Sequence, residues 1–428
     1  VIDLSPGRVL TLAIAKPAAG GRMIARAQGR VVLVSGAIPG EQVNAEVEKV
    51  GKGVVYARTL SIGNRSADRV DSLTDPLCGG CLYSHIAYPR QLQIKAEVIA
   101  DAFARIGRIT LGTTIPVAAS PVEGYRMRAR LHVRQGRAGF FREGTHDLCD
   151  ARSTRQLLPA TCDVIDRLTA RFRLLKADMR EVEIAENIDG SERVVHVDLV
   201  APPDRGTVQA LQAIDGLIGL TTNHRLRSGD GHAATLFGRP HVTDALKIGE
   251  AVVALRRHVL AFFQGNRYLL PDLVTCVVQP LPQGSRVIDL YAGTGLFAVA
   301  AAMVRRCRVT AVESDAVAGA DLDANIAQCG GAVAAIHDPV EVFTRISRPA
   351  PDAVIVDPPR TGMSSEAMEG ALKLSAEMLL YVSCDVATLA RDARRLADAG
   401  YALERVDAFD LFPNTPHVET VTLFRRSA

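Results

Sequence analysis

Four short apolar runs beyond residue 255 constrain the fold more than anything else in the chain. They are Arg286-Val-Ile-Asp-Leu-Tyr, Arg308-Val-Thr-Ala-Val-Glu, Asp352-Ala-Val-Ile-Val-Asp and Met378-Leu-Leu-Tyr-Val-Ser. Each is continuous rather than alternating, each ends in polar residues, and helical patterns separate them. Strands that read this way are buried on both faces, which predicts a parallel sheet covered by helices on either side. Such sheets bind ligands at the carboxyl ends of their strands, where the polar residues fall.

At 428 residues the chain has room for two to four domains. The first 60 or so residues read as short strands separated by Gly and Pro turns, a pattern that predicts a small β-barrel. Residues 1–70 carry ten Lys and Arg against five Asp and Glu, a surplus suited to an oligonucleotide. A helix is predicted from His85 to Ile106, stopping at Gly107. Next, Tyr125 to Arg134 alternates strictly: Met127, Ala129, Leu131 and Val133 share one face, Arg126, Arg128, Arg130, His132 and Arg134 the other. Like charges on one strand face repel unless something anionic neutralises them, so this face is expected to meet phosphates. The expected division is 1–62, barrel; 63–255, a central β-rich α+β domain; 256–428, a doubly wound α/β domain.

No stretch approaches a membrane-spanning length, and the amino terminus lacks a secretory pattern, so the expectation is a cytoplasmic protein without membrane contact. The eight cysteines are scattered, with only Cys78 and Cys81 close together, unlike a secreted disulfide framework.

Asp289-Leu-Tyr291-Ala-Gly293-Thr-Gly295 joins a predicted strand to a predicted helix, and Glu313 closes the next strand. Glycines there let the backbone approach a ligand, and the acidic residue can accept from ribose hydroxyls. The acidic entry to the turn favours S-adenosylmethionine, whose sulfonium and amino group are cationic. Asp357-Pro-Pro-Arg360 follows a strand, where proline cannot extend the ladder and fixes a rigid loop. Arg360 stands where adenine-modifying enzymes usually carry an aromatic residue, so another base is expected. Cys384 lies between a strand end and a predicted helix, whose free amides should depress the thiol pKa and make it a nucleophile. Glu419 precedes the last strand, where a solvated edge carboxylate is the competing reading on spacing alone.

Together these residues resemble the RNA uracil-C5 methyltransferase family, which makes 5-methyluridine in tRNA and 23S ribosomal RNA. The resemblance spans nearly the whole chain and rests on five ordered motifs: Phe262-Phe263-Gln264-Gly-Asn266, Asp289 to Gly295, Asp357 to Arg360, Ser383 to Asp392, and His417 to Glu419. It implies a multidomain α/β protein: an amino-terminal TRAM barrel of OB-like type, a central β-rich domain, and a carboxy-terminal Rossmann-like methyltransferase domain. It also implies Cys384 as the nucleophile that adds to uracil C6 and Glu419 as the general base that removes the C5 proton. Gln264, Tyr291, Gly293, Gly295, Glu313 and Asp357 would serve the S-adenosylmethionine region, with Asp338 on its adenine side. Many members hold a [4Fe-4S] cluster on a C-x5-C-G-G-C motif plus a later cysteine. Here Cys78, Cys81 and Cys149 match, Ser72 replaces the first ligand, and Cys162 is a substitute.

The expected partner is RNA, 23S rRNA ahead of tRNA because the barrel and cluster motif are commoner in the ribosomal branch, with no obligate protein partner. Two other readings compete. An inactive RNA-binding or folding factor need not retain Cys384, Glu419 and Asp357 together. A cytosine-C5 methyltransferase would typically place a cysteine where Arg360 stands.

Overall fold

The computed structural model describes residues 4–426, apart from 113–114, 213, 225–233 and 347–348. Near the amino terminus, six strands form one sheet in the order Val9–Ala13, Gln42–Val50, Val54–Asn64, Arg30–Ser35, Met23–Ala27, Lys16–Pro17. Val9–Ala13 also approaches Met23–Ala27 from the far side of the strand order, which closes the sheet around Leu12, Met23, Val32, Val34, Val43 and Val55. Part of the basic surplus is spent internally: Arg22 pairs with Glu48, Arg58 with Glu46, and Arg69 with the buried Glu41.

The central sheet has seven strands, in the order Leu148–Asp150, Arg137–Phe141, Arg128–Arg134, Met179–Glu186, Arg193–Leu199, Gly219–Thr222, Ala234–Gly238. Helix Pro159–Leu174 covers one face, burying Ala129 and Leu131 against Ile165 and Leu168. The other face corrects the expectation for the basic strand. Arg128 and Arg130 pair with Glu183, and His132 with Glu181, on the adjacent antiparallel strand. Cross-strand carboxylates thus supply the neutralising charge. Arg134 packs over the Phe141 ring.

The carboxy-terminal sheet orders its strands Val333–Ile336, Arg308–Val312, Arg286–Leu290, Ala353–Val356, Met378–Ser383, Glu419–Arg426, Tyr401–Phe409, Val117–Ala118. The first five are parallel, as their apolar runs predict, and Glu419–Arg426 enters antiparallel. The predicted helix after residue 85 runs Tyr88–Ala102 and ends in a π turn, Phe103–Gly107. It packs on this sheet, with Ile99 and Phe103 against Leu379 and Phe424, and its buried Lys95 pairs with the buried Asp410. Among the described residues no helix is long and apolar enough to cross a membrane.

Candidate active site

Strand Arg286–Leu290 carries Asp289 into the interior and ends in a turn that opens helix Leu296–Arg305. Gly295 caps that helix at φ 90°, and a Cβ there would meet Leu322 Cδ1 at 2.7 Å. Its absent side chain is therefore a packing requirement. The Gly293 amide donates to Glu313 Oε2 at 2.7 Å, and the Asp315 amide to Glu313 Oε1 at 2.7 Å, so the turn fixes the carboxylate at the end of the neighbouring strand.

Asp357 follows strand Ala353–Val356, and Gln264 Nε2 donates to its Oδ2 at 3.3 Å. Cys384 follows Met378–Ser383. In the antiparallel register Ser383 pairs with Thr420, so the next residues outward, Cys384 and Glu419, face each other across the strand pair. Sheet register thereby joins two residues that lie far apart in sequence.

Most of these groups open on one cavity of about 860 Å³, with Asp289 buried beneath it. It is lined by Gln264, Tyr291, Gly293, Glu313, Asp357, Cys384 and Glu419, with Gly79, Gly80, Arg126, Arg128, Phe140, Phe412 and His417 on the side of the central domain. Gly295 lies behind the wall as a packing residue, and Asp338 is exposed outside the cavity.

The strand-end side is acidic. Burial, then the nearby Asp357, raises the Asp289 carboxyl well above its ordinary range; the Ala298 amide eases its charge, and neither carboxyl oxygen makes a well-formed hydrogen bond. Burial pushes Asp357 up to about 7, and burial together with Asp357 holds Glu419 well above the usual carboxylate range. Carboxyls crowded this way favour a cationic ligand, which would neutralise them on arrival.

Cys384 departs from the expected depression. Burial, then Glu419, pushes its thiol up to about 11, opposed by the Arg360 side chain. The helix amides invoked for it are already used, because Asp385 accepts from Ala387 and Thr388 at the helix start. Arg360 is thus the group that favours the thiolate. In the sequence Arg360 speaks to the identity of the base, against adenine and cytosine, and carries no sign of this role toward Cys384. Sequence reasoning also assigned no site role to Phe140, Phe412 or His417, whose imidazole is lowered to about 4 by burial and by Arg360, Lys95 and Arg126.

A [4Fe-4S] cluster does not fit these residues. Cys78, Cys81 and Cys149 do come together in one buried cluster, but Cys78 and Cys149 are joined in a disulfide there, which removes both as thiolate ligands. The Ser72 hydroxyl is engaged by the Thr74 carbonyl at 2.7 Å and the Ser84 hydroxyl at 2.8 Å. Cys162 belongs to the separate core beneath helix Pro159–Leu174. Among the described residues no group of three or more His, Cys, Asp or Glu is placed to hold a metal ion. The purified protein should therefore contain no stoichiometric iron, and denatured samples should show six thiols before reduction and eight after. Elemental analysis and thiol titration check both; iron with labile sulfide would refute the assignment.

Residues 226–427 match the family model described as tRNA (Uracil-5-)-methyltransferase, and residues 4–60 match the TRAM domain. The chain is 31% identical to the 23S rRNA (uracil(1939)-C(5))-methyltransferase RlmD of Methylococcus capsulatus, over 95% of this chain and 94% of that one. It is 30% identical to the RlmD of Halomonas elongata, over 94% and 86%. Among solved structures, the Pyrococcus abyssi tRNA (uracil-54, C5)-methyltransferase, in complex with S-adenosyl-L-homocysteine, superposes with a TM-score of 0.76 at 24% identity, covering 96% of this chain and 99% of that one. That likeness shows the shared fold.

Proposed function

Because this chain belongs to the RNA uracil-C5 methyltransferase family, we propose that it methylates C5 of one uridine in structured RNA, with S-adenosylmethionine as methyl donor and a covalent Cys384 adduct on the path. The observation that carries the reading is the cavity in which Cys384 and Glu419 face each other beside a crowded carboxyl pocket. S-adenosylmethionine supplies an electrophilic methyl group on a cationic sulfonium. Asp289 and Asp357 suit that charge, Glu313 suits ribose hydroxyls, and Gln264 bridges the cofactor side to the base side.

Uracil C5 is a poor nucleophile. Addition of the Cys384 sulfur to C6 places enolate density on C5, which can then take the methyl group. Arg360 favours the thiolate during that addition. Glu419 next removes the C5 proton, the C5–C6 double bond re-forms, and Cys384 leaves as thiolate. The base must be unstacked to reach this depth, at a cost of a few kcal/mol that a loop nucleotide largely avoids.

The relatives named for 23S rRNA favour ribosomal RNA over tRNA as substrate. Incubation with labelled S-adenosylmethionine and either unmodified 23S rRNA or unmodified tRNA, followed by nucleoside analysis, tests this. Label is expected as 5-methyluridine in 23S rRNA. Label in tRNA alone would reverse the substrate choice, and label in 5-methylcytidine would overturn the reading.

Asp289→Asn probes the acidic pocket. A carboxyl whose folded pKa is raised favours the folded state fully below its unfolded pKa, and that contribution is lost as pH rises through the folded value. The ligand-free variant should therefore melt higher than wild type above neutral pH, while its affinity for S-adenosylmethionine falls about tenfold, roughly 1.4 kcal/mol. Thermal melts across pH and calorimetric titration read the two effects; unchanged binding would remove Asp289 from the pocket's charge balance.

A further inference from the structure

Most of the buried ionic groups in this protein are matched. Glu41 has Arg69, Lys95 has Asp410, and Asp244 has Arg257. On the basic strand, Glu183 takes Arg128 and Arg130. Arg126, partly buried in the cavity wall, has no such carboxylate match among the described residues. Its Nε donates to the Arg128 carbonyl at 2.8 Å and its Nη1 to Gln156 Oε1 at 2.7 Å, both neutral acceptors. The guanidinium sits over the rings of Phe140, 5.2 Å, and Phe412, 5.7 Å, with no carboxylate partner among the described residues. Arg360 is close enough to oppose its charge, and both line the cavity.

Two guanidiniums lining one cavity repel each other, and a partly desolvated cation without a counter-ion is costly. The arrangement becomes favourable when an anion enters between them. We propose that Arg126, together with Arg360, receives a phosphodiester of the RNA next to the extruded uridine and so fixes how deeply that nucleotide enters. Two sandwiching rings and two neutral acceptors hold the Arg126 fork in place before RNA arrives. Arg126 is therefore a positioning residue, separated in role from the acidic end of the cavity. This inference rests on the RNA reading above and names the part of the substrate that Arg126 takes.

The test measures RNA affinity of wild type, Arg126→Gln and Arg126→Lys against salt concentration, using unmodified 23S rRNA and tRNA transcripts without methyl donor. Losing one phosphate contact to a single-stranded segment should lower the slope of log K against log salt by about 0.7 in Arg126→Gln, with affinity down about tenfold. Arg126→Lys should keep the wild-type slope, and thermal melts confirm that both variants fold. A stem–loop carrying one neutral methylphosphonate beside the methylated uridine should bind wild type about tenfold more weakly, yet cost Arg126→Gln little more. An unchanged slope in Arg126→Gln, or a methylphosphonate penalty that persists in full in that variant, would overturn the proposal. Failure of wild type to form 5-methyluridine would instead defeat the uridine reading, leaving the salt slopes to decide the phosphate contact separately.

Discussion

Cys384→Ala should lower 5-methyluridine formation by more than about 10⁴-fold, at least ~5 kcal/mol of transition-state stabilisation, while RNA binding and folding persist. The reason is chemical. Without addition to C6 the C5 carbon has no enolate character, and no other nucleophile among the cavity's residues replaces the sulfur. The side chain is only half-buried and Ala removes little packing, so the melting temperature should move little. Single-turnover assays and filter binding separate the two quantities. Activity within tenfold of wild type would exclude the covalent route.

Glu419→Gln should behave differently from Cys384→Ala. Addition and methyl transfer precede the step that needs the base, so the variant should accumulate an enzyme–RNA species stable to denaturant, with overall turnover down about 10²–10⁴-fold. A gel under denaturing conditions reads the adduct directly, and absence of any adduct would remove Glu419 from the elimination step. The wild-type pH profile follows from the same group. Burial and Asp357 raise Glu419 well above its usual value, and Asp357 itself sits at about 7, so near neutrality the pair retains protons. A base must be unprotonated to act, and the Cys384 thiol, up at about 11, must also ionise. Both requirements slope the same way, so kcat/KM should rise from pH 6 to pH 9, two conditions bracketing neutrality by roughly 1–2 units. For stability the sign reverses: the raised carboxyls favour the folded ligand-free protein fully below their unfolded pKa and cease to do so as pH rises through the folded values.

The parallel strands and the glycine turn were legible because their signals are local. Continuous apolar runs declare burial on both faces, and Asp289 to Gly295 contains its own turn chemistry. The opposition of Cys384 and Glu419 was legible only through resemblance, since it depends on a register between Ser383 and Thr420 that no local pattern encodes. The basic strand misled for a related reason. Glu181 and Glu183, which pair with three of its five side chains, lie some fifty residues away and have no periodic signature to tie them to it. The Cys384 pKa misled differently: Asp385, the residue next to it, takes the amides, and the depth of burial belongs to the assembled cavity.

The helix Tyr88–Ala102 and the strand Val117–Ala118 have a further consequence for how the enzyme is put together. Both precede the central sheet in sequence, yet both pack with the carboxy-terminal sheet, whose remaining strands follow it. The catalytic body is therefore a discontinuous unit, left once and re-entered by the chain, with the central sheet inserted between its two parts in sequence. A fragment beginning at residue 256 would lose helix Tyr88–Ala102, taking Lys95 from Asp410 and exposing the apolar face that Ile99 and Phe103 help to cover. The half of the protein that holds the chemistry depends for its integrity on a helix made before it.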